Sequence, residues 1–251
     1  GKGIDVNDLV VEDGYIYAET TTAGVAARDI LTEILPQLIT GLSFPKSMHW
    51  GNLDEKFVRP LRWLVALYDT DVLPITFAGV RASNSSRGHR FLGKKEILIQ
   101  HPADYVKNLE DNFVIVDQDK RRAMIEEQLH AIADEKKATI VWDEDLLDEI
   151  LYLVEYPTAL CGTFDESYLT LPSAAVITPM KDHQRYFPLV DAEGKLLPMF
   201  LTVRNGDAHS LNVVQAGNER VLRARLDDAK FFFNEDRKKA LADRSEGLTR
   251  I

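Results

Sequence analysis

Two apolar periodicities interleave along this chain without settling into a strict strand–helix–strand rhythm, and that irregularity constrains its fold more than any other feature. Asn218 to Asp236 carries Val221, Leu222, Leu226, Ala229 and Phe233 on one stripe, the 3.6-residue period of an amphipathic helix. Ala26 to Ile39 repeats the pattern with Ile30, Leu31, Ile34, Leu35 and Leu38, and Pro36 is placed to kink or end it. Ala103 to Leu109, Arg121 to Ala133 and Asp145 to Val154 predict further helices, the last stopped by Tyr156-Pro157. Ser173 to His183 predicts another, with Ser173 as its cap, and Asn218 is the natural cap of the long C-terminal helix. Between these lie strand signals: a hairpin around Gly14 over Val6 to Glu19, a pair Leu61–Tyr68 and Val72–Val80, and a pair Arg185–Val190 and Leu197–Val203 across Asp191-Ala192-Glu193-Gly194. The mixture predicts an α+β fold, with mixed or antiparallel sheets and packed helices, rather than a doubly wound parallel sheet. Boundaries fall near residues 55 and 210, giving parts 1–55, 56–210 and 211–251.

The chemistry that can be struck off is extensive. A lone cysteine, Cys161, excludes internal disulfides and multi-cysteine metal sites, and its apolar neighbourhood suits a structural thiol better than a nucleophile. The six histidines, at 49, 89, 101, 130, 183 and 209, never fall three or four apart, so no helical metal clasp is encoded. The phosphate-binding glycine loop, the dinucleotide fingerprint, His-Glu-x-x-His and the Gly-x-Ser-x-Gly elbow are all missing. No catalytic residue and no metal ligand is therefore predicted. Asp69 and Asp71 fit a solvated hairpin turn better than a metal site. With 251 residues, 45% of them hydrophobic, the chain can bury a substantial core. No apolar run approaches the roughly 18 residues of a membrane span, and a cytoplasmic protein is expected. Gly1-Lys2-Gly3 lacks an initiator Met and Ile251 closes a charged run; both ends are expected to be cut points in a longer polypeptide.

Charge is what the chain concentrates. Its net charge is −10, yet Lys56 to Lys95 holds eight bases against two acids, whereas Asp104 to Glu155 holds fifteen acids against six bases. Within the basic stretch, Arg87-Gly88-His89-Arg90-Phe91 sets two guanidinium forks, an imidazole and an aromatic ring around a glycine. That set suits phosphate clamping and base stacking on RNA. It equally suits a loop held by arginine–carboxylate pairs to the acidic stretch, and charge alone does not separate the two. Arg87, His89 and Arg90 are the first RNA-binding candidates, supported by Arg59, Arg62 and Lys94. Secondary candidates are Lys181 and Arg185, in a polar helix end, and Arg220 and Arg223, an arginine ridge that Asp227 could neutralise at i, i+4.

The ordered set Phe57-Val58-Arg59-Pro60, Trp63-Leu64-Val65-Ala66-Leu67, Arg87-Gly88-His89-Arg90-Phe91, Met180-Lys181, Gln184-Arg185-Tyr186-Phe187, Gly217-Asn218-Glu219, Arg223-Ala224-Arg225-Leu226 and Phe231-Phe232-Phe233 resembles the bacterial glycyl-tRNA synthetase beta subunit. The likeness runs from about Lys46 to Lys239. The resemblance implies a tetrameric ligase of two alpha and two beta subunits that charges tRNA with glycine at the expense of ATP. It places ATP and magnesium in the alpha subunit, so no cofactor is expected in this fragment. It implies partners: the alpha subunit, the tRNA for glycine and other beta-subunit domains, with HD-type and anticodon-binding parts C-terminal to this region. It also implies a distant similarity to the B3/4 module of phenylalanyl-tRNA synthetase beta chains, which edits there. Glycine is the smallest amino acid, so a second sieve has little to correct. An RNA-binding and assembly role is the first expectation, a purely structural interaction scaffold the second, and an editing hydrolase the third.

Overall fold

In the computed structural model, residues 5, 9–18, 23–240 and 243 are described. By Cα packing the chain divides into two units, one up to Ser85 and one from Ser86. The fold is α+β, several small sheets with packed helices.

The first unit is built from short strands. β1 (Leu9–Glu12) and β2 (Tyr15–Ala18) form the expected hairpin, turning through Asp13 and Gly14, both at positive φ, as a tight two-residue turn requires. α1 (Ala27–Thr40) runs through Pro36 rather than ending there, and Gly41 closes it by donating to Gln37 O. β3 (Met48–His49) pairs with β4 (Lys56–Phe57). The expected strand pair is broken into β5 (Leu64–Val65), β6 (Leu67–Tyr68), β7 (Asp71–Val72), β8 (Thr76–Phe77) and β9 (Val80–Ser83). β5 lies parallel to β9, which is antiparallel to β8; β6 and β7 form the hairpin across Asp69-Thr70. Leu73, Ile75 and Ala82 are the buried centre, and Leu31 and Leu35 of α1 pack on it. Ile30, Ile34 and Leu38, from the same stripe, are exposed.

The second unit is a four-stranded antiparallel sheet with helices on both faces. β10 (Ser85–Ser86) and β11 (Ile97–Leu98) bracket the basic loop in sequence. α2 (Tyr105–Glu110), α3 (Gln118–Glu135) and α4 (Glu144–Leu153) follow, with β12 (Thr139–Ile140) between the last two. β13 (Pro157–Thr163), α5 (Ser173–Thr178), β14 (Phe187–Val190), β15 (Leu196–Asn205) and α6 (Leu211–Arg237) complete it. The sheet order is β12-β14-β15-β13. Alternation along β15 sends neighbouring residues to opposite faces: Leu201 joins Ile125, Leu129, Leu147 and Ile150 of α3 and α4, whereas Phe200 joins Leu222 and Leu226 of α6. Phe200 pairs with Gly162 across the ladder, and its ring fills the space that a side chain at Gly162 would need.

Polar side chains finish what the ladder leaves open. β13 is an edge strand, and Gln128 accepts from Ala159 N at 3.0 Å while donating to Pro157 O at 3.2 Å, satisfying an edge that would otherwise recruit another strand. The buried Arg121 donates from Nε to Leu151 O at 3.0 Å, at the end of α4, and from Nη1 to Ile115 O. A cation there is favoured by the carbonyl end of the helix dipole.

Two expected caps are corrected. Ser173 lies inside α5, whose cap position is Pro172, and the helix continues as a π-helical turn over Pro179–His183. Asn218 lies well inside α6, which starts at Leu211; its Oδ1 accepts from the Tyr186 hydroxyl at 3.1 Å. Val221, placed on the buried stripe by periodicity, is exposed.

Candidate nucleic-acid interface

The loop from Arg87 to Lys94 is fastened by its own backbone and by Asn112, beyond the end of α2. Gly88 N donates to Lys94 O at 3.0 Å, Gly93 N to His89 O at 2.8 Å, and His89 N to Asn112 O at 2.9 Å. Lys94 N donates to Asn112 Oδ1 at 3.2 Å. Gly88 and Gly93 are needed because the chain closes on Asn112: a Cβ on Gly93 would stand 2.4 Å from Asn112 O, and one on Gly88 2.8 Å from Asn112 Cβ. The close approach that this glycine-containing loop permits is thus made to the protein's own backbone.

His89 corrects an expectation. It is only 3% exposed, and its Nδ1 accepts from Phe91 N and from Leu92 N, each at 3.3 Å. It holds the turn and does not face solvent. The charged members of the set behave differently. Arg87, Arg90 and Lys94 are exposed, and the Arg90 guanidinium lies over the Phe91 ring, 5.6 Å from its centroid. Arg59 and Arg62 are exposed as well and belong to the other unit.

The secondary candidates separate into two kinds. Lys181 forms an ion pair with Asp143; that hydrogen bond, followed by one from Leu146 N, holds the Asp143 carboxyl below its usual range. Arg185, at a positive φ of 59°, donates from Nε to Glu149 Oε1 at 2.7 Å. Lys181 is thus paired with the cap residue of α4 and Arg185 with a residue inside it. Arg220 and Arg223 are exposed on α6 and line a cleft of about 580 Å³ with Thr163, Phe164, Asp165, Ala216 and Glu219. The expected Arg223–Asp227 ion pair does not form: Asp227 accepts from the Tyr168 hydroxyl at 2.5 Å. Glu219 is occupied too, accepting from Thr163 N at 2.9 Å and from Gln215 Nε2 at 2.8 Å. Burial would raise the Glu219 carboxyl, but these hydrogen bonds outweigh it and hold it low.

Cys161 is half-buried, and burial pushes its thiol up, away from the thiolate a nucleophile needs. The arrangement thus offers exposed guanidinium groups, two of them on a hydrogen-bonded loop, and guanidinium groups are suited to binding anions.

The structure is an α+β fold with an exposed basic loop, and comparison with known proteins supplies the family. A profile described as "Glycyl-tRNA synthetase beta subunit" matches residues 1–251, and the chain belongs to that family. The glycine–tRNA ligase beta subunit of Desulfitobacterium hafniense strain Y51 is 46% identical over 255 residues, which is 100% of this chain and 37% of that relative. The same subunit of Clostridioides difficile strain 630 is 46% identical over 254 residues, 100% of this chain and 37% of the relative. That of Bacillus subtilis strain 168 is 46% identical over 242 residues, 95% of this chain and 35% of the relative. The chain therefore spans little more than a third of the length of these relatives.

Proposed function

We propose that this chain is the tRNA-contacting and assembly portion of a tetrameric glycine–tRNA ligase, serving ATP-dependent charging of tRNA with glycine without carrying the chemistry itself. The observation that supports RNA contact is the Arg87–Lys94 loop: a backbone fixed by Asn112 and His89 presents Arg87, Arg90 and Lys94 to solvent. A loop backbone already held leaves only side-chain freedom to be lost when these cations meet a phosphate. Arg59, Arg62, Arg220 and Arg223 are further exposed cations for the same use. Chemistry is assigned to the alpha subunit, where ATP and magnesium belong in this reading, and the complex is placed in the cytoplasm. No helix among the described residues is long and apolar enough to cross a membrane.

Assembly has its own support. Val11, Tyr15 and Ile16 of the N-terminal hairpin are each about 70% exposed, and a lone two-stranded ribbon is marginal unless something covers it. The alpha subunit and other beta-subunit domains are the partners proposed for such surfaces.

The test is binding of the purified protein to glycine tRNA and to a non-cognate tRNA at two salt concentrations. Neutralising four to six phosphates gives a log–log salt slope of roughly −3 to −5. No binding at low salt would move the chain to the purely structural role.

A further inference from the structure

Charge accounts for the arginines of the basic loop but not for Phe91, which is 82% exposed. A single exposed apolar side chain is ordinary on a protein surface. This one stands on a backbone that is held by hydrogen bonds. Its N–H donates to the buried His89 Nδ1, the next residue's N–H donates to the same atom, and the turn on either side is closed by Gly88, Gly93 and Asn112. The ring is thereby presented on a fixed frame, with Arg90 over it at 5.6 Å.

A phenyl ring has no hydrogen-bonding group, so it neither contacts a phosphate nor reads a base edge. It can stack on a base or enter an apolar pocket of another protein. The surroundings choose between these. Arg90 to Lys95 contains three cations and no acid, and the three are exposed. An apolar pocket closing over Phe91 would strip water from those charges without repaying it. A nucleotide brings both the π-face for the ring and the phosphates for the cations. Base faces are hidden inside a duplex and accessible only in ends, bulges and loops.

We infer that Phe91 is a stacking platform for an unpaired nucleotide, so that the RNA segment taken by this loop is single-stranded. The inference rests on the proposed RNA-binding role and deepens it.

The experiment compares two RNA hairpins, one blunt and one carrying a short single-stranded 3′ overhang with 2-aminopurine. Binding of the purified protein and of its Phe91→Ala, Phe91→Tyr and Arg87→Ala/Arg90→Ala variants is followed by anisotropy and by 2-aminopurine quenching. The overhang hairpin is expected to bind more tightly than the blunt one and to be quenched. Phe91→Ala should abolish the quenching and weaken overhang binding by roughly 5- to 140-fold, the range of one lost base stack. It should leave blunt-hairpin binding unchanged, and Phe91→Tyr should restore both signals. Unchanged melting temperatures establish that the variants fold. Equal losses on the two hairpins, or no loss with Phe91→Ala while the arginine variant weakens both, would overturn the stacking role alone. If the arginine variant also binds both hairpins as well as the parent does, the RNA-binding reading falls with it.

Discussion

The Nδ1 atom of His89 accepts the backbone N–H of Phe91 at 3.3 Å, so the buried residue of the basic loop orients the exposed ring two places on. The pairing fixes the imidazole's role. An acceptor Nδ1 carries no proton, and its contribution to any ligand is indirect, through the shape of the loop.

Replacing His89 with Ala leaves the N–H groups of Phe91 and Leu92 without their acceptor and opens space where a buried side chain stood. The expected cost is about 1–3 kcal/mol, read from urea unfolding. A change within about 0.5 kcal/mol, the range of ordinary surface substitutions, would mean that the imidazole does not hold the loop.

Gly93 and Gly217 should respond to alanine with opposite signs. A Cβ on Gly93 meets Asn112 O at 2.4 Å and His89 N at 2.7 Å, so Gly93→Ala should destabilise by about 1–3 kcal/mol. Gly217 sits inside α6 with nothing within 4 Å of the added methyl. Gly217→Ala should stabilise by about 0.5–1 kcal/mol through helix propensity. Thermal unfolding of the two variants side by side checks both signs.

Alkaline stability should depend on Tyr186, whose hydroxyl burial pushes up to about 12 from an ordinary value of 10.0. The unfolded chain releases this proton at the lower pH while the native state keeps it. The stability contributed is complete below pH 10 and is lost as pH rises toward 12. Tyr186→Phe should flatten part of that decline in the urea midpoint. At neutral pH it should cost about 1 kcal/mol for the hydrogen bond to Asn218. An unaltered alkaline slope would contradict this assignment.

Lys181→Ala and Arg185→Ala test whether cations paired with Asp143 and Glu149 take part in RNA binding. Their partners are Asp143 and Glu149, so each substitution should cost about 0.2–1 kcal/mol of stability and leave RNA affinity within twofold or so of the parent. A loss as large as that of the Arg87/Arg90 variant would place RNA at Lys181 and Arg185 as well.

Much of this architecture was legible in the sequence, and the failures share a cause. The N-terminal hairpin, α1, α3, α4 and the β14–β15 pair follow from local periodicity and turn residues, which depend on near neighbours. The start of α6 was misplaced because Gly217-Asn218 has the composition of a helix boundary, yet the helix continues upstream to Leu211 and Asn218 is used by Tyr186, 32 residues away. His89 was misread for a similar reason: beside two arginines an imidazole looks like a ligand, and only Asn112 and the close packing of Gly88 and Gly93 show it to be a structural anchor. Arg223 and Asp227 had the spacing of an ion pair, but Tyr168 takes the carboxylate. Long-range partners decided each case, and spacing along the chain does not encode them.

The most direct test of the central claim is the salt dependence of glycine-tRNA binding for the protein and for its Arg87→Ala/Arg90→Ala variant. Each phosphate contact contributes roughly 0.7 to the log–log slope on a single strand and roughly 0.9 on B-form DNA. The account predicts that the variant binds more weakly and that its slope is shallower by about 1.5. An identical affinity and slope in a correctly folded variant would contradict it.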